Sequence, residues 1–146
     1  MNKLKIQTEI LKGLLKGLNV IYTTEHEGMI GLCPDEYCVV FCPIRDVYLK
    51  LNGTLFDIGK TLKKTQDDEY RLSESVQYFD YDLDGKKVRL MKVTSEDRSA
   101  CVNEKYTKYF DKDALYYVSS WNRPVMVFEQ DQMVGLIFPV VVKNHD

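Results

Sequence analysis

Lysines on two predicted amphipathic helices are the residues with the clearest chemistry in this chain. The spacing of apolar residues predicts helices over residues 8–18 and 103–112. Lysines at i, i+3 and i+7 along one helix edge hold their ammonium groups in a single row. Such a row attracts phosphate groups without reading bases, and the attraction weakens steeply with salt. The lysines on these two helices are Lys12, Lys16, Lys105, Lys108 and Lys112.

An ordinary solvated surface is the competing interpretation of these lysines. Lysine normally occupies exposed helix positions, whatever the protein does. Glu9, Glu104 and Asp111 also lie close to them in sequence and dilute the positive charge. Because the whole chain has a net charge of −2 and a pI of about 5.7, any binding of nucleic acid depends on a local patch.

Four cysteines have the chemistry for a zinc site but not the usual spacing. Cys33, Cys38 and Cys42 are separated by four and three residues, so no CxxC pair is present. A fourth ligand would require Cys101 or His26 to converge on them. The surrounding segments are strand-like and apolar, where cysteine behaves as a small hydrophobic residue. We therefore expect reduced thiols and no bound metal or other cofactor.

A short acidic segment contains the spacing that opens a calcium-binding loop. Asp80, Asp82, Asp84 and Gly85 match the first part of that motif. The twelfth position is Met91, where calcium requires a bidentate glutamate, and helical flanks are missing. An Asp-Gly pair between two strand-like segments instead favours a β-hairpin that turns at Asp84-Gly85.

Catalytic motifs are missing from the sequence. His26 and Glu27 form an adjacent acid–base pair, but no nucleophile motif accompanies them. The sequence contains no phosphate loop, nucleotide-binding fingerprint or hydrolase elbow. We therefore predict a protein that is not an enzyme and that works by binding.

Length and hydropathy predict one domain over residues 1–146. With 45% hydrophobic and 29% charged residues, the chain is long enough to bury a core. No apolar segment follows the first lysines as it would in a secretory signal. The longest apolar run, 133–142, is too short to cross a bilayer. We expect a cytoplasmic protein with no membrane partner.

The predicted elements repeat one plan at both ends of the chain. A short strand (4–7 or 87–93) precedes an amphipathic helix, and each helix leads into about three strands (27–52 or 115–142). Two such halves can pair their edge strands into one antiparallel sheet with both helices on one face. The apolar stripe of the first helix consists of Ile10, Leu11, Leu14, Leu15 and Leu18, with Glu9, Lys12 and Lys16 on the opposite side.

The segment between the halves follows the plan less clearly. Residues 47–52 alternate apolar and polar side chains, which predicts a half-buried strand. Leu55, Ile58 and Leu62 recur at helical spacing and predict a short helix. Residues 53–86 as a whole are interpreted as an elaboration of the repeated plan.

This layout resembles a DNA sliding clamp domain, as in bacterial β clamps and the proliferating cell nuclear antigen. VNEKYTKYF is similar to the last helix of that family, and RPVMVFEQDQMVGLIFPVVV is similar to its closing hairpin with an apolar-Pro-apolar end. The opening KLKIQTEILKGLLKGL, followed by EGMIGLCPDEYCVVFCPI, is similar in layout to the first strand, helix and hairpin of a clamp.

The resemblance implies both a fold and a role. The fold is α+β, with two strand-helix-strand-strand-strand halves forming an antiparallel sheet backed by two helices. The role is that of a DNA-replication processivity factor, encoded by a phage or mobile element, whose helix lysines contact the DNA backbone and whose partners include a polymerase. A clamp ring needs six such domains, so one domain per chain implies a homo-oligomer, assembly with another clamp or another use of the fold. The alternative hypothesis is a protein-interaction module that keeps the fold without forming a ring or binding DNA.

Overall fold

The computed structural model describes residues 1–142 as a mixed α+β chain in which strands predominate. This confirms the predicted α+β class. The helices are α1 (Lys3–Leu15), α2 (Ile58–Asp67) and two 3-10 helices (Ile44–Asp46 and Glu104–Tyr109). The strands are β1 (Val20–Thr23), β2 (Met29–Asp35), β3 (Cys38–Pro43), β4 (Gly53–Phe56), β5 (Arg71–Leu72), β6 (Ser75–Leu83), β7 (Lys86–Ser95), β8 (Arg98–Asn103), β9 (Leu115–Val118), β10 (Val125–Glu129) and β11 (Gln132–Ile137).

Eight of these strands form one large sheet in the order β4-β1-β2-β3-β11-β10-β9-β5. Its centre consists of two antiparallel meanders, β1–β2–β3 and β9–β10–β11, which are joined through their last strands. At that joint Leu136 pairs with Val39 and Ile137 pairs with Cys38. The two meanders therefore share one sheet, as the repeated plan allows. The sheet is not wholly antiparallel, because β4 pairs parallel with β1, and the predicted strand 87–93 lies in the small sheet as part of β7.

A smaller sheet of three antiparallel strands, β6-β7-β8, is built mainly on a long hairpin. Leu83 pairs with Lys86, so the hairpin loop consists of Asp84 and Gly85 alone. Both residues have positive φ angles, +52° and +81°, as a type I′ turn requires. The structure thus confirms the predicted hairpin. Asp84 and Gly85 of the calcium-like motif form its turn.

The large sheet is covered on both faces. On one face its side chains pack with Ile6 and Ile10 of α1, with Tyr106 and Tyr109 of the 104–109 helix, and with β7 and β8 of the small sheet. On the other face, Ile58 and Leu62 of α2 pack over β3. Both helices of the predicted repeat therefore lie on one face, and α2, which lies within residues 53–86, covers the other.

The beginning of the chain differs from the prediction. Residues 4–7 are helical, because α1 starts at Lys3 with Asn2 as its N-cap, and the Asn2 side chain accepts a hydrogen bond from the Lys5 amide. The helix ends in a Schellman motif, in which the amide of Leu18 donates to the carbonyl of Gly13. Gly17 has a φ of +83° at the position where this motif requires the left-handed region.

Two further predicted elements are wrong in type. Residues 47–52 form no strand, although the predicted alternation of half-buried and exposed side chains is present there. The predicted helix over 103–112 is a 3-10 helix that ends at Tyr109, and Phe110 is extended, with φ of −116° and ψ of 160°. The ring of Phe110 lies against Gly135 of β11, where any Cβ atom would collide with it. Packing on the sheet thus takes the chain out of the helix before Lys112.

Candidate interaction surface

Helix α1 is fixed to the protein by two isoleucines and one glutamine. Ile6 and Ile10 lie four residues apart and are 0% and 6% exposed. The buried Gln7 side chain donates through Nε2 to the carbonyl of Asp46 (2.9 Å) and accepts at Oε1 from the amide of Tyr48 (2.7 Å). These contacts set the rotation of α1 and hold the 44–51 segment beside it.

The outer side of α1 carries leucines that do not enter the core. Leu4, Leu11 and Leu15 are spaced by seven and four residues, which places them on one stripe of the helix. Leu15 is 81% exposed and Leu4 is 65% exposed. We call the exposed apolar residues of this segment the leucine face; they are Leu4, Leu11, Leu14, Leu15 and Leu18.

The leucine face corrects the predicted orientation of the first helix. Leu11, Leu14, Leu15 and Leu18 were expected to face the core together with Ile10, but only Ile10 is buried. The prediction began the helix at residue 8, so Ile6 was not counted when the buried side of the helix was assigned. With Lys3 as the first helical residue, α1 has two apolar stripes, and the Ile6–Ile10 stripe is the one that packs.

Lysines flank the leucine face on one side. Lys5, Lys12 and Lys16 are all exposed, and at 100° per residue they lie between the leucines and Glu9 around the helix. Glu9 is bound by Lys108, whose Nζ lies 3.5 Å from Glu9 Oε1. The exposed surface of α1 is therefore apolar along one stripe and cationic along its edge.

The other predicted lysines do not form the expected row. Lys105 lies 3.7 Å from a carboxylate oxygen of Asp35, and Lys108 reaches α1 through Glu9. Lys112 is exposed but follows the end of the 104–109 helix. The structure thus brings Lys108 towards α1, while two of the five predicted lysines, Lys105 and Lys108, are paired with neighbouring carboxylates.

A groove of about 910 Å³ lies between α1, β2, the β6–β7 hairpin and the 104–109 helix. Ile10, Ile21 and Phe138 contribute apolar surface to its lining. Its charged side chains have both signs, and Arg89 is paired with Glu104 at 3.0 Å. The groove therefore offers shape and apolar area, but no concentration of one charge that would select an ionic ligand.

The hydrogen bond between Tyr106 and Asp35 in this groove has a structural role. The Tyr106 hydroxyl donates to Asp35 Oδ2 at 2.5 Å, and Asp35 Oδ1 accepts from the Tyr37 amide at 2.8 Å. Burial, together with this hydrogen bond, raises the pKa of Tyr106 far above its usual range. The phenol therefore remains protonated and ties the β2–β3 turn to the 104–109 helix, rather than acting as a base.

Three of the four cysteines, Cys33, Cys38 and Cys42, are core residues in the structure, and Cys101 is partly buried. Burial raises the pKa of Cys33 to about 12 and that of Cys42 to about 11, so both thiols are neutral at physiological pH. Within residues 1–142, no group of three or more His, Cys, Asp or Glu side chains is arranged to hold a metal ion. Cys33 and Cys42 therefore lie in the buried environment expected of small hydrophobic residues.

The acid–base pair at His26 lies at an exposed turn. His26 Nε2 is 4.0 Å from Glu27 Oε1, and Glu27 has a φ of +52° between β1 and β2. Thr24 and Asp57 line the pocket beside it, and both accept hydrogen bonds from backbone amides at the start of α2, from Ile58 and Gly59 respectively. His26 and Glu27 are therefore brought together by the turn between β1 and β2.

Comparison with known proteins provides no relative for this chain: no family model, no curated protein and no solved structure matches it. Among the helices of residues 1–142, none combines the length and the hydropathy that crossing a bilayer requires.

Proposed function

We propose that this chain is a non-enzymatic protein-interaction module that binds a helix of a partner protein on its leucine face. The observation that carries the proposal is a stripe of exposed leucines on a helix whose opposite side is locked into the core. Contiguous exposed apolar surface of this kind is a mark of an interaction site. A rigid helix that offers apolar residues at i, i+7 and i+11 matches the spacing of a second amphipathic helix.

The partner helix is expected to be acidic along one edge. Lys5, Lys12 and Lys16 border the leucine face, whereas the only carboxylate of α1 already contacts Lys108. Burying one leucine contributes about 1.5–3 kcal/mol, and an exposed ion pair contributes about 1 kcal/mol or less. Apolar contact would therefore supply most of the affinity, and the lysines would set the orientation and the choice of partner.

Titration with matched helical peptides tests this proposal. The probe is a synthetic amphipathic peptide with leucines on one face and glutamates along the flanks, and its control carries lysines in place of the glutamates. Amide chemical shifts of the labelled protein should change along α1 with the acidic peptide, and the Leu11→Ser, Leu15→Ser variant should lose the response. Equal binding of both peptides, or shifts centred on the groove, would overturn the proposal.

DNA contact by a clamp-like domain stays a second prediction. The arrangement that favours it is the pair of meanders joined at β3 and β11, with α1 and the 104–109 helix on one face. The small sheet packs on that same face, and Lys105 and Lys108 contact carboxylates, which leaves fewer cations for phosphate. Because two of the five lysines that DNA contact would use are paired with carboxylates, protein binding is the leading proposal.

Fluorescence anisotropy with a labelled DNA duplex at low salt tests the DNA prediction. The five lysine-to-glutamate changes should abolish a salt-sensitive signal if the lysines contact phosphate. Wild-type protein that leaves the anisotropy unchanged would refute direct DNA contact by the isolated chain. Light scattering adds the test of a ring, for which a mass near six chains is the expected result.

A further inference from the structure

Strand β6 is a long edge strand of the small sheet. It spans nine residues and pairs with β7 on one side. Within the described part of the chain, no strand pairs with its other side. Val76 and Tyr78 on this strand are 37% and 50% exposed. An open edge of this length is a template for another strand.

The hairpin geometry identifies the backbone groups that point outward. Leu83 and Lys86 flank the two-residue turn and therefore form a hydrogen-bonded pair. Hydrogen-bonded and non-hydrogen-bonded pairs alternate from there, so the odd-numbered residues of β6 bond to β7. The residues whose N–H and C=O groups face away from β7 are Val76, Tyr78, Asp80 and Asp82.

We propose that β6 pairs antiparallel with β6 of a second copy of this chain, with the two-fold axis at Phe79. In this register Tyr78 lies opposite Asp80 of the other copy, and Val76 lies opposite Asp82. These four outward-facing residues then form hydrogen-bonded pairs along the whole joint, with about eight backbone hydrogen bonds. The two small sheets become one sheet of six strands.

The number of paired residues selects this register from its neighbours. A shift that keeps the hydrogen-bonding parity moves the axis by one residue, to Tyr78 or to Asp80, and pairs only three of the four outward-facing residues within β6. An axis at Asp80 also places that carboxylate opposite its own copy, and like charges directly opposite each other destabilise a strand pair. Because β6 spans residues 75–83, only the axis at its midpoint, Phe79, pairs all four outward-facing residues.

The interface is separate from the leucine face. Val76 and Tyr78 line a concavity together with Phe110, Leu115 and Tyr116, on the side of the small sheet that faces the 107–116 segment. The leucine face lies on α1 and just after it, and none of its residues lines this concavity. Loss of self-association and loss of peptide binding can therefore be measured independently.

Sedimentation equilibrium over a wide concentration range tests the pairing. Two variants that place opposite charges at position 78 are compared. Tyr78→Lys places a cation opposite Asp80 twice in the dimer, and Tyr78→Asp places an anion there. The dissociation constants of these two variants should differ by about tenfold or more, with the lysine variant tighter than wild type. Gln77→Asp, whose side chain lies on the other face of the sheet, should leave the constant unchanged.

Three results would overturn the inference. The first is a wild-type chain that stays monomeric at every concentration. The second is equal self-association of the two Tyr78 variants. The third is self-association that Leu15→Ser removes and Tyr78→Asp leaves intact, since that places the contact on α1.

A cysteine at the two-fold axis reports the register directly. Phe79 faces its own copy in a non-hydrogen-bonded pair, with Cα atoms about 4.5 Å apart, which is within the range of a disulfide. In a Cys101→Ser background, Phe79→Cys should form a disulfide-linked dimer under mild oxidation. Gln77→Cys is the matched control, because its two copies would lie about 13 Å apart along the strands. More cross-linking at 77 than at 79, or none at either, would contradict the register.

Discussion

Replacement of Gln7 by leucine should loosen the attachment of the 44–51 segment to α1. Gln7 is 6% exposed, and its side chain satisfies the Asp46 carbonyl at 2.9 Å and the Tyr48 amide at 2.7 Å. Leucine fills a similar volume but leaves both groups without that partner. An unsatisfied buried polar group costs about 1–3 kcal/mol, and these two are partly buried, so we expect a loss of about 2 kcal/mol in unfolding free energy.

Urea denaturation measures that loss, and hydrogen exchange of the Tyr48 amide locates it. Gln7→Glu keeps the acceptor for Tyr48 but buries a carboxylate against the Asp46 carbonyl, so its destabilisation at neutral pH should be at least as large. Thr8→Ala on the exposed side of α1 is the matched control. A change below about 0.5 kcal/mol in Gln7→Leu, or unaltered exchange at Tyr48, would show that this side chain does not hold the segment.

Three further predictions concern the core and its boundary. In urea denaturation, Leu15→Ser should change the unfolding free energy by about 0.5 kcal/mol or less, whereas Ile10→Ala should lower it by about 2–5 kcal/mol. Equal losses in the two variants would show that the leucine face is buried. Gly135→Ala should cost about 1–3 kcal/mol by calorimetry, because the new Cβ would lie 2.8 Å from a backbone carbonyl of β3. The pKa of the buried Cys33 thiol is raised from 9.0 to about 12, so stability from the neutral thiol is present below pH 9 and is lost as the pH rises towards 12. Cys33→Ala should therefore flatten the alkaline fall of the urea midpoint, and an unchanged fall would contradict this assignment.

Local patterns in the sequence were sufficient to predict several elements. The Asp84-Gly85 pair specifies its turn through backbone conformation alone, and the structure has that turn. The helix at Ile58 and Leu62 follows from their spacing, and both residues are buried against the large sheet. The repeated plan also allowed the two meanders to join, because paired edge strands cover each other's exposed backbone groups. The strand expected at the end of the first meander, 47–52, does not form, so the joint itself was not predicted.

The errors lie where tertiary packing chooses between local alternatives. Residues 4–7 alternate like a strand and also continue a helix, and only the capping by Asn2 and the burial of Ile6 decide between them. The leucine face could have been found from the 4, 11, 15 spacing once the helix was started at Lys3. Phe110 leaves its predicted helix because of a contact with Gly135, twenty-five positions away in sequence, which periodicity does not encode.

Photo-cross-linking from the leucine face, carried out in the cells that produce this protein, tests the central proposal most directly. A benzophenone amino acid at position 15 should give one adduct, and peptide mapping should place the attachment on an amphipathic helix with acidic flanks. The yield should fall when Lys12 and Lys16 are replaced by glutamate, and the same probe at exposed Lys60 of α2 should give no such adduct. Attachment to a segment without that pattern, or equal yield with and without the two lysines, would contradict the proposed binding of an acidic helix.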